Sequence, residues 1–311
     1  MTDPVICTLF DKNYLVKGLL MLESFFRHHP TGRAYVLPGD EETGGRIYEW
    51  GTKAGHILGS SLMILDALPD MDVFGCYAEE FSDAVVGRTQ AEKYFSMTPF
   101  LMSYVLYREE ELGHSDGVIY VDADCFFLQP MGSDVLDRMS STDILITPHR
   151  WSPEHAARLR PNGTFNVGWL YLSGKGNSRP ALMHWMIDCL YPPRKEPSGR
   201  FSDQLLLEDW PEKYGQSVIM NHPGINLAPW NQKQYLYMTR ASGLALVWPV
   251  TAGEVPVILY HFHEFHCEFK DHQATVYRTG YRLDSAVVDH IYIPYEQLYL
   301  EKCLELQKGT V

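Results

Sequence analysis

Short apolar runs alternate along this chain with segments whose apolar positions recur at helical spacing, a pattern that predicts an α/β sheet protein. The run Val5-Ile-Cys-Thr-Leu-Phe10 is the first predicted strand, and it ends in the turn Asp11-Lys-Asn13. Leu15, Leu19, Leu22 and Phe26 then fall on one face of a helix. Residues 34–37 form a second strand, closing a first βαβ unit at Pro38-Gly39. Residues 39–61 are Gly-rich and weakly patterned, which predicts a loop or a short helix. Thr98-Pro99 reads as an N-cap with proline in the first helical position, starting a helix through Leu101, Val105 and Leu106 towards Leu112. Gly113-His-Ser-Asp-Gly117 breaks that helix, and Gly117-Val-Ile-Tyr-Val121 is a buried strand. Further strands are expected at 143–147, 165–172 and 255–260. Helices are expected at 180–190, from a Ser202 cap through 203–207, and at 294–307. No repeat, low-complexity tract or flexible linker interrupts the pattern.

Composition narrows the class. The 311 residues, 45% apolar and 13% aromatic, suffice for a large core in one big domain or two merged ones. The net charge of −13 disfavours nucleic acid as a partner, and no basic stripe offsets it. Small anions can still bind locally at helix N-termini, single basic residues or a metal. Cys7, Cys76, Cys125, Cys189, Cys267 and Cys303 are scattered without CxxC spacing, which suits free thiols in a reducing compartment. The first residues lack a basic stretch followed by an apolar one, and no apolar run approaches the roughly 18 residues of a membrane span. A cytoplasmic location is therefore expected, and the sequon Asn162-Gly-Thr164 carries no meaning there.

The position of one carboxylate pair changes the picture further. Asp122 and Asp124 sit at the carboxyl end of a predicted buried strand, where ligands of open α/β sheets bind. Their i, i+2 spacing puts both side chains on one face of an extended chain. Such a pair suits a hard divalent cation, Mn2+ or Mg2+, that takes its other ligands from water and phosphate oxygens. A cation clamped to a diphosphate neutralises the charge on a departing nucleotide. The alternative is a solvated strand-end turn, and the placement before Phe126-Phe127 favours the metal. His261, His263 and His266 follow another apolar strand as H-x-H-x-x-H. His261 and His263 share a strand face, so either can complete the metal site; the alternative is hydrogen-bonded histidines at a sheet edge. The spacing of the three matches no dedicated zinc site.

Five landmarks occur in order: Thr8-Leu-Phe-Asp11-Lys-Asn-Tyr14, Tyr120-Val-Asp-Ala-Asp124, Phe165-Asn-Val-Gly168, Ser202-Asp-Gln204 and Tyr260-His-Phe-His263. On these the chain resembles the GT-A glycosyltransferases, within them the retaining family eight and related uncharacterised bacterial nucleotide-sugar transferases. The resemblance spans residues 5–265. It implies one GT-A domain over 1–311 with a mixed central sheet flanked by helices. Residues up to 130 would be the nucleotide-binding half, and 131–311 the sugar and acceptor half. It implies metal-dependent transfer of a sugar from a nucleotide-diphosphate donor, with a UDP-sugar favoured, to an acceptor hydroxyl with retention. The acceptor class stays open among saccharide, lipid-linked glycan, protein and small metabolite.

The resemblance also implies roles. Thr8, Phe10, Asp11, Tyr14 and Ala123 would line the nucleotide pocket, with the Tyr14 ring stacked on the base. Asp122, Asp124 and the later His261 would hold the metal. Asn166 and Gly168 would approach the sugar, the glycine allowing close backbone approach. Asp203 would bind sugar hydroxyls and Gln204 would lie beneath the anomeric carbon; a purely structural helix cap is the other reading of Ser202-Asp-Gln204. Lys93 would sit over the diphosphate, unless it is a solvated lysine. Family eight follows its late histidine with G-x-K-P-W, whereas here His261 is followed by Phe-His-Glu-Phe-His266, and Lys270 is the nearest lysine. A neighbouring family is therefore a better match than family eight itself. The segment from His222 to Asn231, rich in turn formers, amides and Trp230, suits sugar contacts or an ordered loop, and Thr147-Pro-His149-Arg150 follows a strand end where it can face an acceptor. Two rivals use the same residues. A haloacid-dehalogenase-type phosphatase also places DxD after an apolar strand, although it normally opens with that strand. A non-catalytic sugar-nucleotide or glycan-binding protein needs no turnover.

Overall fold

A strand buried on both faces needs an apolar residue at nearly every position, and β1 (Val5–Phe10) is buried throughout. In the computed structural model, which describes residues 3–66, 77–114, 117–193, 201–241, 243–247, 253–270 and 273–307, it lies inside a six-stranded sheet. α1 (Leu15–His28) follows it, and β2 (Arg33–Pro38) returns parallel to β1. The Gly-rich stretch is a full helix, α2 (Glu41–Lys53), because Asp40 caps it, accepting the Thr43 N–H at 2.8 Å. β3 (Leu62–Ile64) adds to β2, and α3 (Ala78–Ala84) comes next. α4 (Gln90–Glu111) starts earlier than Thr98-Pro99 predicts. Thr89 and Glu92 close a capping box, with the Thr89 N–H on Glu92 Oε2 at 2.7 Å and the Glu92 N–H on Thr89 Oγ1 at 3.3 Å. Pro99 therefore sits inside the helix, between the buried Met97 and Phe100.

β4 (Val118–Val121) pairs parallel with β1, opposite β2. The chain continues through β5 (Cys125–Phe127), α5 (Ser133–Ser140), β6 (Ile144–Pro148) and the single turn α6 (Leu159–Asn162). β7 (Phe165–Leu172) runs antiparallel to both β4 and β6, giving the order β3-β2-β1-β4-β7-β6, and α7 (Ser178–Leu190) follows. Residues Asp203–Leu207 form a 3-10 turn without a side-chain cap from Ser202, which corrects the capped helix expected there. α8 (Trp210–Tyr214) precedes a small antiparallel sheet of β8 (Leu236–Arg240), β9 (Gly243–Val247) and β10 (Glu254–Pro256). The strand expected at 255–260 is thus divided, since β11 (Leu259–His261) leaves that sheet to pair with β5. A hairpin of β12 (His266–Lys270) and β13 (Gln273–Tyr277), then α9 (Ser285–Val287) and α10 (Ile293–Gln307), complete the order.

Side-chain alternation splits the sheet between two cores. Val5, Cys7, Leu9, Val118 and Tyr120 face the core shared with α4 and α7, where Phe100 and Trp185 lie. Ile6, Phe10, Ile119 and Val121 face the core shared with α1, α2 and α5. A third, aromatic cluster joins Phe126, Tyr260, Phe262 and Phe265 to α10, with the Phe262 and Tyr295 rings stacked 3.7 Å apart. Connections leave β1 towards β2 on one side, while β4 lies on the other. The loops after β1 and β4 therefore meet at a topological switch point, the usual ligand crevice of an open sheet. Among the described residues no helix is long and apolar enough to cross a membrane, and five cysteines are free thiols; Cys76 lies outside those residues.

Candidate metal and donor site

Where β4 ends the chain turns sharply, the Cys125 N–H donating to the Asp122 carbonyl at 3.0 Å. Asp122 and Asp124 are thus carried by a turn and not by one face of a strand, as their spacing had predicted. Pairing of β11 with β5 sets His261 across from Cys125 and brings its imidazole over the turn. His261 Nε2 lies 3.1 Å from Asp124 Oδ1 and 3.9 Å from Asp122 Oδ2. Ligating atoms of all three residues fall within 4.8 Å of one another. Asp124 and His261 are buried, while the Asp122 side chain stays 31% exposed. Two carboxylate oxygens and one imidazole nitrogen with an open side fit a six-coordinate divalent cation whose remaining ligands come from outside the chain.

Charge follows the same geometry. Burial would raise the Asp124 pKa, but His261 and Lys17 overcome it and hold the carboxyl well below its usual range. Burial, reinforced by the Asp124 charge, raises Asp122 despite His261. For His261 burial acts to lower the pKa and is outweighed by Cys125 and Asp124, which raise it. A cation bound there would therefore compete with a proton for the same nitrogen.

Behind the histidine lies a chain of amides. His261 Nδ1 is 3.1 Å from Asn226 Oδ1, which fixes the ring with Nε2 towards the carboxylates. Asn226 has φ +59° and is fully buried, and its Nδ2 donates to Asn166 Oδ1 at 2.8 Å and to Thr147 Oγ1 at 3.2 Å. Asn166 Oδ1 also accepts the Gly168 N–H at 2.9 Å, and its Nδ2 donates to Gln204 Oε1 at 3.2 Å. Gln204 Nε2 in turn donates to the Asn162 carbonyl at 2.8 Å. Gly168 is required here: a Cβ on it would lie 2.6 Å from both Asn166 Oδ1 and His261 Nδ1. The space it leaves is filled by the imidazole. Asp203 is buried beside this chain, and burial first, then the Asp122 charge, push its carboxyl pKa well up.

At the end of β1, Asp11 accepts the Asn13 N–H at 2.9 Å and the Tyr94 hydroxyl at 3.2 Å. Tyr14 is exposed, and its phenol pKa is raised by the Asp124 charge first, then by burial and by Asp122. The tyrosine thus follows the β1 turn and feels the charge of the carboxylate pair. Thr8 and Phe10 are buried within β1, and Ala123 between the two aspartates is buried too. Lys93 is half-buried in the first turn of α4, beside Tyr94.

Other sequence expectations fall differently. His263 lies in the turn after β11, its Nε2 3.8 Å from Glu264 Oε1, and is not in the three-residue cluster. His266 is exposed on β12. The segment 222–231 packs inward: Trp230 and Asn231 are buried and both donate to the His149 carbonyl at 2.9 Å. The Trp230 ring packs edge to face with the His261 ring, 5.1 Å away. His149 is buried, and Arg150 bonds the Ile225 and Asn226 carbonyls, so this pair braces the segment. Sequence reasoning missed Asn226 as the partner of the histidine, Tyr94 as the partner of Asp11, and Lys17. Only Asn226 carried a signal, the density of polar and turn residues around it.

No protein-family model matches the chain. The uncharacterised protein YfnF of Bacillus subtilis strain 168 is 26% identical over 266 residues, covering 82% of this chain and 80% of that one. Among solved structures, an active-site mutant of LgtC aligns with a TM-score of 0.51 at 15% identity, over 83% of this chain and 87% of that one. Mouse xyloside xylosyltransferase 1 in its apo form aligns with a TM-score of 0.50 at 13% identity, over 85% of this chain and 98% of that one. The mixed sheet flanked by helices, with a carboxylate pair where β4 leaves it, is the GT-A fold of glycosyltransferases.

Proposed function

We propose that this protein is a metal-dependent glycosyltransferase that moves a sugar from a nucleotide-diphosphate donor, a UDP-sugar by preference, to an acceptor hydroxyl. The observation that carries the reading is the Asp122–Asp124–His261 cluster at the switch point of a GT-A sheet. A divalent cation there supplies charge neutralisation for the departing diphosphate. In this reading Asp11 and Tyr14, after the end of the adjacent β1, meet the nucleoside. In this reading Asn166, Asp203 and Gln204 serve the sugar; Asn166, and through it Gln204, is joined to His261 by way of Asn226. The anomeric C–O bond breaks with its electron pair leaving on the phosphate oxygen. The acceptor oxygen bonds to that carbon on the same face, and its proton passes to the departing phosphate. The amide of Gln204, turned by Asn162 and Asn166, stabilises the positive charge that develops on the sugar. Retention is supported by the resemblance to family eight, and the mutant LgtC structure concerns a glutamine exchanged for glutamate in an active site.

Release of UDP from UDP-sugars, followed with and without Mn2+, tests the proposal. Slow metal-dependent donor hydrolysis is expected, with little release by Asp124→Asn. Gln204→Ala should lower turnover roughly 10–1000-fold with donor affinity nearly unchanged. Metal-dependent nucleotide binding without turnover would instead favour the non-catalytic reading, and no binding of any nucleotide diphosphate would sink both.

A further inference from the structure

Lys17 occupies the first turn of α1, directly after the loop that ends β1, yet it is only 6% exposed. Its ammonium nitrogen lies 4.4 Å from the centre of the Tyr14 ring. Among the described residues its side chain has no ion pair and no hydrogen bond. Its aliphatic stem is buried while its head lies against the Tyr14 ring, so the three ammonium donors are left for a ligand.

The surroundings say which ligand. α1 packs along β5, the strand that follows Asp124: Leu20 shares an apolar cluster with Phe126, and the Phe127 N–H donates to Ser24 Oγ at 3.0 Å, so Lys17, earlier on α1, lies towards Asp124. That carboxylate is already committed to His261 at 3.1 Å. A divalent cation at the cluster balances the charges of Asp122 and Asp124, and then Lys17 is left as uncompensated positive charge facing the same crevice. A compact ammonium with three donors suits a phosphate oxygen. We propose that Lys17 holds a phosphate oxygen of the donor's diphosphate beside the cation at Asp122, Asp124 and His261. The inference rests on the donor reading above. As the glycosyl–phosphate bond breaks, the diphosphate gains charge, so the contact strengthens and acts on turnover as well as on binding.

Titration calorimetry with the full chain in Mn2+ separates this role from a packing role, using UDP and UMP as probes. Wild-type protein should prefer UDP strongly. Lys17→Met should reduce the UDP-over-UMP affinity ratio at least tenfold while UMP affinity changes less than about threefold, and Lys17→Arg should restore part of the ratio. A wild-type ratio in Lys17→Met overturns the inference and leaves the donor reading intact. Wild-type protein that binds neither nucleotide overturns the donor reading and this inference with it. If Lys17→Met does not fold, Lys17→Gln gives the same comparison with a polar stem.

Discussion

At the scale of single residues, the proposed role of His261 as a metal ligand depends on Asn226. An imidazole offers one nitrogen to a cation only when the other is held, and Asn226 Oδ1 holds Nδ1 at 3.1 Å. Asn226 does this from a backbone of φ +59°, a conformation that asparagine tolerates better than most residues. Its amide is fully buried and shared with Thr147 and Asn166. Asn226→Ala should therefore weaken Mn2+ affinity about 10–100-fold, the usual cost of losing a ligand's partner. It should also destabilise the fold by roughly 2–3 kcal/mol, because buried polar partners lose their bonds. Metal titration and urea denaturation measure the two effects. His266→Ala, at an exposed position on β12, should leave metal affinity within about twofold. Equal losses from the two substitutions would remove Asn226 and His261 from the metal site.

At the scale of elements, β7 and β11 meet so closely that only glycine fits at position 168. The strand pairing that orders β11 along β5 sets the height of His261, and the missing side chain of Gly168 leaves room for it. Gly168→Ala puts a methyl group 2.6 Å from an amide oxygen and from the imidazole, neither of which is the free end of a flexible chain. The expected result is a stability loss of about 1–3 kcal/mol from overpacking, with a clear fall in Mn2+ affinity as the ring is pushed away. A fully folded Gly168→Ala with wild-type metal affinity would show that β11 can shift as a unit. The start of α4 teaches a related lesson about elements. Thr98-Pro99 carries a strong local start signal, but Thr89 and Glu92 form a reciprocal capping box upstream of it, and the buried face continues through Pro99. When two start signals lie on one apolar stripe, packing selects between them.

At the scale of the whole molecule, the joint between α1 and the sheet is a pH-sensitive part of its stability. His29 closes α1 with its ring between Phe25 and Phe127, and its Nε2 accepts the Met131 N–H at 3.2 Å. Burial first, then the neighbouring His28, lower its pKa to about 4. Above roughly pH 6.5, the unperturbed value, both folded and unfolded forms are neutral and the group contributes nothing. Below that pH the unfolded chain takes up a proton that the folded chain refuses, so stability falls as the pH drops towards 4. The loss from His29 alone is about 2 kcal/mol at pH 5. Urea midpoints at pH 7 and pH 5 should therefore converge more closely in His29→Gln than in the wild type. The same pH dependence in both proteins would place the sensitivity elsewhere.

What the sequence determined by itself was whatever is local and periodic. The buried runs at 5–10, 118–121 and 165–172 are strands because short, mostly apolar stretches are shielded when both faces are covered. The carboxylate pair was recognisable because it stands directly after one of them. Tertiary structure alone decided the rest. It split the expected strand at 255–260 by offering Leu259–His261 a partner in β5, and it put Asp122 and Asp124 on a turn that the i, i+2 spacing could not disclose. It joined His261 to Asn226 across 35 residues and turned Trp230, His149 and Arg150 inward to brace them. Lys17 shows the reason most plainly. In a helical pattern a lysine reads as solvated, and only the fold buries its stem and sets its head against the Tyr14 ring. Burial and long-range pairing are relations between segments far apart in the chain, and a one-dimensional pattern contains no term for them.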